Sequence, residues 1–387
     1  MSTDAAPLGR VLVVVSNDYG ELGAALYFLQ GCPLASRPRV LLPSALAHAL
    51  DSGPQAEVAV YRGAADVQAQ LHAYRPDTVL LATGYLLAMG VTGIGLLPAW
   101  RLLRMMTRRG IRLLTTDPFL GIRPSPLRLL WADLRQRTKR DALWAAVALA
   151  PATWLLRRAW HVYPAPVQRL PVLGGDARCR SYRGTQARLP DPLPGQPPSW
   201  LFVLSALEMR MLDGASQGRW VELLVLRLRE CQRAGRLAVL VGPTELTRRV
   251  AHQLPAGPLL QLHSALSYPA YMQHLLAAER VFFWNMLSFS ILHRVLAAQP
   301  AHFFDAGHLA RIHPPFWQAG VRLFYGGWHP PVLDLQQPLL PERLAPVTAD
   351  TLRAFSGIAQ GLQALPDAAA LLAGLELQPP PRPRRSR

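Results

Sequence analysis

Two acidic residues stand where the first apolar run of the chain gives way to a helix-like stretch, Ser16-Asn17-Asp18-Tyr19-Gly20-Glu21-Leu22-Gly23. At such a junction Asp18 and Glu21 suit a general base acting on a neutral acceptor, and equally suit capping of the first helical turn. Gly20 and Gly23 lack a Cβ and let the backbone approach a ligand. The loop has no G-x-G-x-x-G spacing, and no G-x-x-x-x-G-K occurs anywhere, which removes dinucleotide and P-loop readings. Asp117 follows the run IRLLTT and precedes Pro118. It is either a further carboxylate at a strand end or the lead residue of an Asx-type turn.

The second half holds the most specific constellation, from Leu262 to His308. Its order is a strand, a helix, a short strand ending at Asn285, a Ser288-Phe289-Ser290 turn opening a helix, and a strand ending at Asp305. Serine hydroxyls and free N–H groups at a helix start form a cradle for phosphate. Eight of the eleven histidines lie between His252 and His329. The set His302, Asp305, His308 and His313 fits no zinc spacing, so no metal is expected. His263 or His308 suits contact with a diphosphate or the capping of a strand end.

The elements that must position these residues alternate throughout. Apolar runs of strand length are VLVVVS, RVLLP, AEVAVY, TVLLAT and IRLLTT in the first half. WLFVLS, LAVLVG, LLQLHS, VFFWN, AHFFD and VRLFY follow in the second. Amphipathic stretches such as GELGAALYFLQG and RWVELLVLRLRECQRAG separate them. Strands without polar alternation, separated by helices, predict parallel sheets covered on both faces. The expected class is α/β, two doubly wound Rossmann-like domains, and ligands in such sheets bind beyond the strands' carboxyl ends. The expected boundaries are a first domain over 1–170, a linker over 171–199, a second domain over 200–345, a helical segment over 346–377 that packs back across the junction, and a basic disordered tail over 378–387.

With 387 residues the chain is long enough for two such domains. Lys+Arg 41 against Asp+Glu 24 leaves a net charge of +17, almost all of it arginine, since Lys139 is the single lysine. Between Arg123 and Arg158 eight basic and two acidic residues interleave with Trp131, Trp144 and Trp154. This 121–160 insertion suits either an anionic membrane surface or a helical hairpin with a solvated basic face. Thr78–Trp100 is uncharged but carries four glycines and Pro98, so it reads as a strand, a turn and a helix start rather than a span. Arginines spread along both halves without a helix-turn-helix, RNA-recognition or zinc-finger pattern make nucleic acid an unlikely partner. Three distant cysteines and the lack of a signal-peptide start point to a reducing cytoplasm.

The run through Ser288-Phe289-Ser290, Ala297-Ala298-Gln299-Pro300 and His302 to His308 resembles the donor half of the GT-B class of glycosyltransferases, and the two-domain layout matches over roughly residues 10–345. The resemblance implies a nucleotide-sugar donor held around Ser205, Gly242, His263, Asn285, Ser288, Ser290, Asp305 and His308, without metal or cofactor. It implies an acceptor, a glycan or a lipid-linked hydroxyl, on the first half, with Asp18 or Glu21 as base and Asp117 in reserve. Many members carry a glutamate in the helix after the serine turn, where this chain has Leu292 and His293. A nucleotide-sugar 2-epimerase and a non-catalytic membrane-surface protein of the same architecture are the alternatives. Either way the protein is expected in the cytoplasm or peripheral on the inner face of the membrane.

Overall fold

The computed structural model describes residues 9–16, 19–32, 36–53, 56–88, 92–116, 155–156, 159–166, 178–184, 197–216, 219–312 and 314–376. Its first half is a seven-stranded sheet of β1 (Val11–Val15), β2 (Arg39–Pro43), β3 (Glu57–Tyr61), β4 (Thr78–Ala82), β5 (Arg112–Thr116), β6 (Trp160–Tyr163) and β7 (Cys179–Ser181). Every pairing is parallel, and the order is β3-β2-β1-β4-β5-β6-β7. The uncharged stretch resolves into β4, the short helix α3 (Tyr85–Ala88) and α4 (Leu96–Arg108). Among the described residues no helix is long and apolar enough to cross a membrane.

Strand β1 shows why the run VLVVV carries no polar alternation. All five residues are buried, with Val11, Val13 and Val15 in one core and Leu12 and Val14 in another on the opposite face. Helix α1 (Tyr19–Gln30) covers the first face, while α2 (Ala64–Tyr74) and α4 cover the second.

The second half repeats the scheme with β8 (Ser199–Val203), β9 (Leu237–Val241), β10 (Leu260–His263), β11 (Arg280–Phe283) and β12 (Ala301–Phe303), parallel in the order β10-β9-β8-β11-β12. Its helices are α5 (Ala206–Ser216), α6 (Trp220–Arg233), α7 (Thr244–Gln253), α8 (Tyr268–Ala277), α9 (Ser290–Leu296), α10 (His308–Ile312), α11 (Pro314–Tyr325), α12 (Pro341–Gln363) and α13 (Ala368–Glu376). The core carrying Val13 and Tyr27 is continuous with Leu201, Val239 and Phe283 of the second sheet, so one apolar interior joins the halves. Arg294 on α9 is fully buried and meets no carboxylate among the described residues. Its guanidinium donates to the carbonyls of Leu275, Ala278 and Pro300 and to Gln299 Oε1, pinning α9 to the end of α8 and the turn before β12.

Two expectations change. The run VRLFY is not a strand but the last turns of α11, whose Pro314 start commits the stretch to a helix. Part of the 171–199 stretch is ordered as the edge strand β7, paired to β6 through Val162 and Arg180. After α12 the chain returns to the first half. Arg183 N donates to Pro366 O at 2.8 Å, and Gly31 leaves room for Ala368 at the start of α13. The basic segment 121–160, apart from 155–156 and 159–160, and the 378–387 tail lie outside the described residues.

Candidate functional site

In both sheets the strand order reverses beside the first strand, between β1 and β4 and between β8 and β11. Crevices open at the carboxyl ends of such strands. In the second sheet, β8 ends at Val203, and two residues on begins the sequence Ser205-Ala206-Leu207-Glu208. This S-x-x-E spacing is a capping box. Glu208 N donates to Ser205 Oγ at 3.4 Å, Ser205 N returns to Glu208 Oε2 at 3.2 Å, and the Ser205 hydroxyl also donates to that oxygen.

The other carboxylate oxygen does more than cap a helix. Glu208 Oε1 accepts from Asn285 Nδ2 at 3.3 Å, at the end of β11, and faces His308 Nδ1 at 3.0 Å, beyond β12. An ionised carboxylate only accepts, which assigns the His308 proton to Nδ1. Glu208 is 6% exposed, so this one side chain ties three strand ends together beneath the crevice floor. Asn285 Oδ1 accepts from Leu287 N at 2.9 Å and shapes the turn toward Ser288. Gly307 has φ +95, and a Cβ there would lie 2.5 Å from Asn285 Oδ1, so only glycine fits. Asp305 Oδ1 accepts from Gly307 N at 3.0 Å while its other oxygen pairs with Arg311.

The expected donor residues therefore divide. Ser205, Asn285 and His308 converge on Glu208, with Asp305 one turn away. Ser290 is held elsewhere, its Oγ accepting from Tyr271 Oη at 2.7 Å, and burial pushes that phenol up to about 12. Ser288 is half-buried beside this pair, its N–H on Asn285 O at 3.3 Å. His263 ends β10 on the flank, its ring 5.0 Å from that of His274, and desolvation lowers the pKa of both. Gly242 follows β9, and its N–H donates to His263 O at 3.0 Å. Glu208 itself was not among the expected residues; the S-x-x-E spacing was its signal in the sequence.

In the first half, Asp18 and Asp117 lie outside the described residues. Glu21 sits in the first turn of α1; burial raises the pKa of Tyr61, the nearby Glu21 adds to the rise, and the Tyr61 hydroxyl donates to Val15 O at 2.7 Å. Hydroxyl groups close this switch point. Ser16 Oγ donates to Ala82 O at 2.6 Å, and Thr116 Oγ1 accepts from Thr83 N at 3.1 Å.

Between the halves stands an aromatic wall. Tyr27 on α1 meets Phe289 and His293, ring centroids 5.9 Å apart in each case, and Tyr19 meets Tyr271 at 6.2 Å. Tyr19 donates to Leu266 O, and Tyr268 N donates to Ala49 O at 2.6 Å. Gly23 serves this packing rather than a ligand, since a Cβ there would lie 3.0 Å from both Phe289 Cδ1 and Tyr268 Oη. The wall also accounts for His293. Its ring is buried against Tyr27 and lies 3.3 Å from Tyr268 Oη, and desolvation brings its pKa down to about 4. A carboxylate at that position would be buried without a cation.

No protein-family model matches the chain, and no curated protein matches its sequence. Solved structures do match, along nearly the whole length. CalG4, the calicheamicin glycosyltransferase, is 15% identical over 96% of this chain and 98% of its own, with a TM-score of 0.53. The spinosyn rhamnosyltransferase SpnG complexed with thymidine diphosphate is 14% identical over 95% and 100%, with a TM-score of 0.54. A putative UDP-N-acetylglucosamine 2-epimerase from Listeria monocytogenes is 13% identical over 97% and 99%, with a TM-score of 0.53. Likeness at this identity is a likeness of architecture, and the architecture, two parallel α/β sheets closed by a returning C-terminal helix, is the GT-B fold of glycosyltransferases.

Proposed function

We propose that the protein transfers a sugar from a nucleotide-sugar donor to an acceptor hydroxyl. The observation that carries this reading is the convergence of Ser205, Asn285 and His308 at the switch point of the second sheet, in a fold shared end to end with a sugar transferase holding thymidine diphosphate. The donor half is residues 200–345 and the acceptor half residues 1–170. The donor diphosphate lies against the Asn285–Ser290 turn and the loop from Asp305 to His308, with His263 and Gly242 on the flank. Asp18 or Glu21 takes the proton of the acceptor hydroxyl as its oxygen bonds to the anomeric carbon, with Asp117 in reserve. The anomeric carbon–oxygen bond to phosphate breaks, and the nucleoside diphosphate leaves. Protein donors rather than a cation stabilise that leaving group, because Glu208 and Asp305 already spend their oxygens on His308, Ser205, Asn285 and Arg311. The acceptor is a glycan or a lipid-linked hydroxyl, met in the cytoplasm or at the inner face of the membrane.

The epimerase likeness supports a second reading, interconversion of the sugar without an acceptor. A panel of nucleotide sugars distinguishes the two. Thermal stabilisation by a nucleotide sugar, followed by release of nucleoside diphosphate that depends on an added acceptor, is the expected result. Epimerised sugar nucleotide without acceptor supports the second reading, and no stabilisation by any member of the panel overturns both.

A further inference from the structure

We infer that the outer face of α4 is a docking surface for an anionic lipid bilayer. Leu97, Arg101, Arg104 and Arg108 follow the spacing i, i+4, i+7, i+11 and are all exposed, while Ala99, Leu102 and Met106 on the other side are buried under the sheet. The stripe runs about 16 Å along the helix, and Arg109 extends it. The helix contains no acidic residue.

Several arginines elsewhere on the surface are neutralised. Arg39, Arg236, Arg249 and Arg311 each meet a carboxylate. Among the described residues, the guanidinium groups of Arg101, Arg104, Arg108 and Arg109 meet none. Arg104 instead lies over the ring of Trp100, 5.1 Å from its centroid. An unneutralised row of guanidinium groups binds phosphate bidentately.

The apolar end of the same helix decides which phosphate. Leu96 and Leu97 are 40% and 55% exposed, the one adjacent pair of exposed large apolar side chains among the described residues. With Trp100 they form an apolar tip ahead of the arginines. A phosphodiester backbone offers such a tip nothing to bury against, whereas the boundary of headgroups and acyl chains takes leucine and tryptophan while its phosphates take the arginines. Helix α4 starts beyond the carboxyl end of β4, so this tip lies on the side of the sheet where an acceptor would bind. The inference stands whether or not the transferase reading holds.

Flotation of the full-length protein tests it, using vesicles of phosphatidylcholine alone and of phosphatidylcholine with phosphatidylglycerol. The wild type is expected to float with the anionic vesicles only. An Arg101→Gln/Arg104→Gln/Arg108→Gln variant should partition roughly a hundredfold more weakly, about fivefold per arginine. A Leu96→Ser/Leu97→Ser variant should also float less while keeping the salt dependence. The three single arginine variants supply the same measurement should the triple variant not fold. Failure of the wild type to float, equal flotation with neutral vesicles, or arginine variants within twofold of the wild type would each overturn the inference. So would displacement from anionic vesicles by duplex DNA or RNA at stoichiometric concentration, which assigns the surface to nucleic acid.

Discussion

Replacing Glu208 with glutamine changes a single charged oxygen into an amide and tests the knot that organises the second sheet's crevice. The carboxylate accepts from Ser205 N at 3.2 Å, the Ser205 hydroxyl, Asn285 Nδ2 at 3.3 Å and His308 Nδ1 at 3.0 Å. A glutamine offers one accepting oxygen and an NH₂ that only donates. Whichever way the amide is placed, two of the four donors face that NH₂. The Ser205 hydroxyl can turn and accept, and the His308 ring can carry its proton on Nε2 and accept at Nδ1, but Ser205 N, or Asn285 Nδ2, cannot accept. One buried donor, Ser205 N or Asn285 Nδ2, is therefore orphaned, at about 1–3 kcal/mol. A net loss of about 1–3 kcal/mol follows, on a scale where a whole domain holds about 5–15. Urea denaturation at neutral pH reads this directly as a lower midpoint at unchanged slope. Combining Glu208→Gln with His308→Ala should recover about 1–2 kcal/mol relative to the sum of the single variants, since both remove the same bond. A Glu208→Gln protein within about 0.5 kcal/mol of wild type, with no coupling to His308, would refute this reasoning, because it would mean that the carboxylate does not take those donors.

Two other outcomes follow from buried groups. His302 stacks on Phe282 with Nε2 3.0 Å from Thr348 Oγ1, and burial brings the pKa of His302 and His293 down to about 3 and about 4. The unfolded chain binds these protons near pH 6.5, so stability should fall as pH drops below about 6.5, by up to about 1.4 kcal/mol per pH unit for each histidine, and level off near the folded values; urea midpoints that stay flat from pH 7 to pH 5 would contradict this. Gly23→Leu should drive a side chain into the space of Phe289 and Tyr268, costing about 1–3 kcal/mol or separating the halves. An unchanged melting temperature and an unchanged radius of gyration by small-angle scattering would show that α1 does not pack there.

Much of the architecture is legible because fully covered parallel strands write themselves as unbroken apolar runs, as in VLVVV, TVLLA and LAVLV. VRLFY misleads because its five residues alternate as a strand does, although burial at Val321, Leu323 and Tyr325 arises there from a helix lodged between neighbours. β7 escapes notice because a three-residue edge strand with one partner needs no apolar pattern on both faces. The candidate site is less legible. Ser205 and Glu208 advertise their mutual cap at a spacing of three, but nothing local announces Asn285 and His308, which reach Glu208 across 77 and 100 residues. Gly23 reads as ligand clearance until another helix is seen to fill the clearance. The departure at His293 stands in the sequence, while its cause, an aromatic wall that would strand a carboxylate, exists only once α1 meets α8 and α9.

The return of the chain onto the first sheet has a mechanical consequence. The described residues of the first half before β8 end at Arg183 and Gly184, and the link from α12 to α13 comes back at Pro366, bonded to Arg183. The described end of the first half and the returning chain thus meet at one point. A swing of one half against the other about that point would leave this contact in place, whereas sliding or separation would break it. A single cut between β7 and β8 would leave the pieces docked, because α13, which belongs by sequence to the second piece, is already seated against the first.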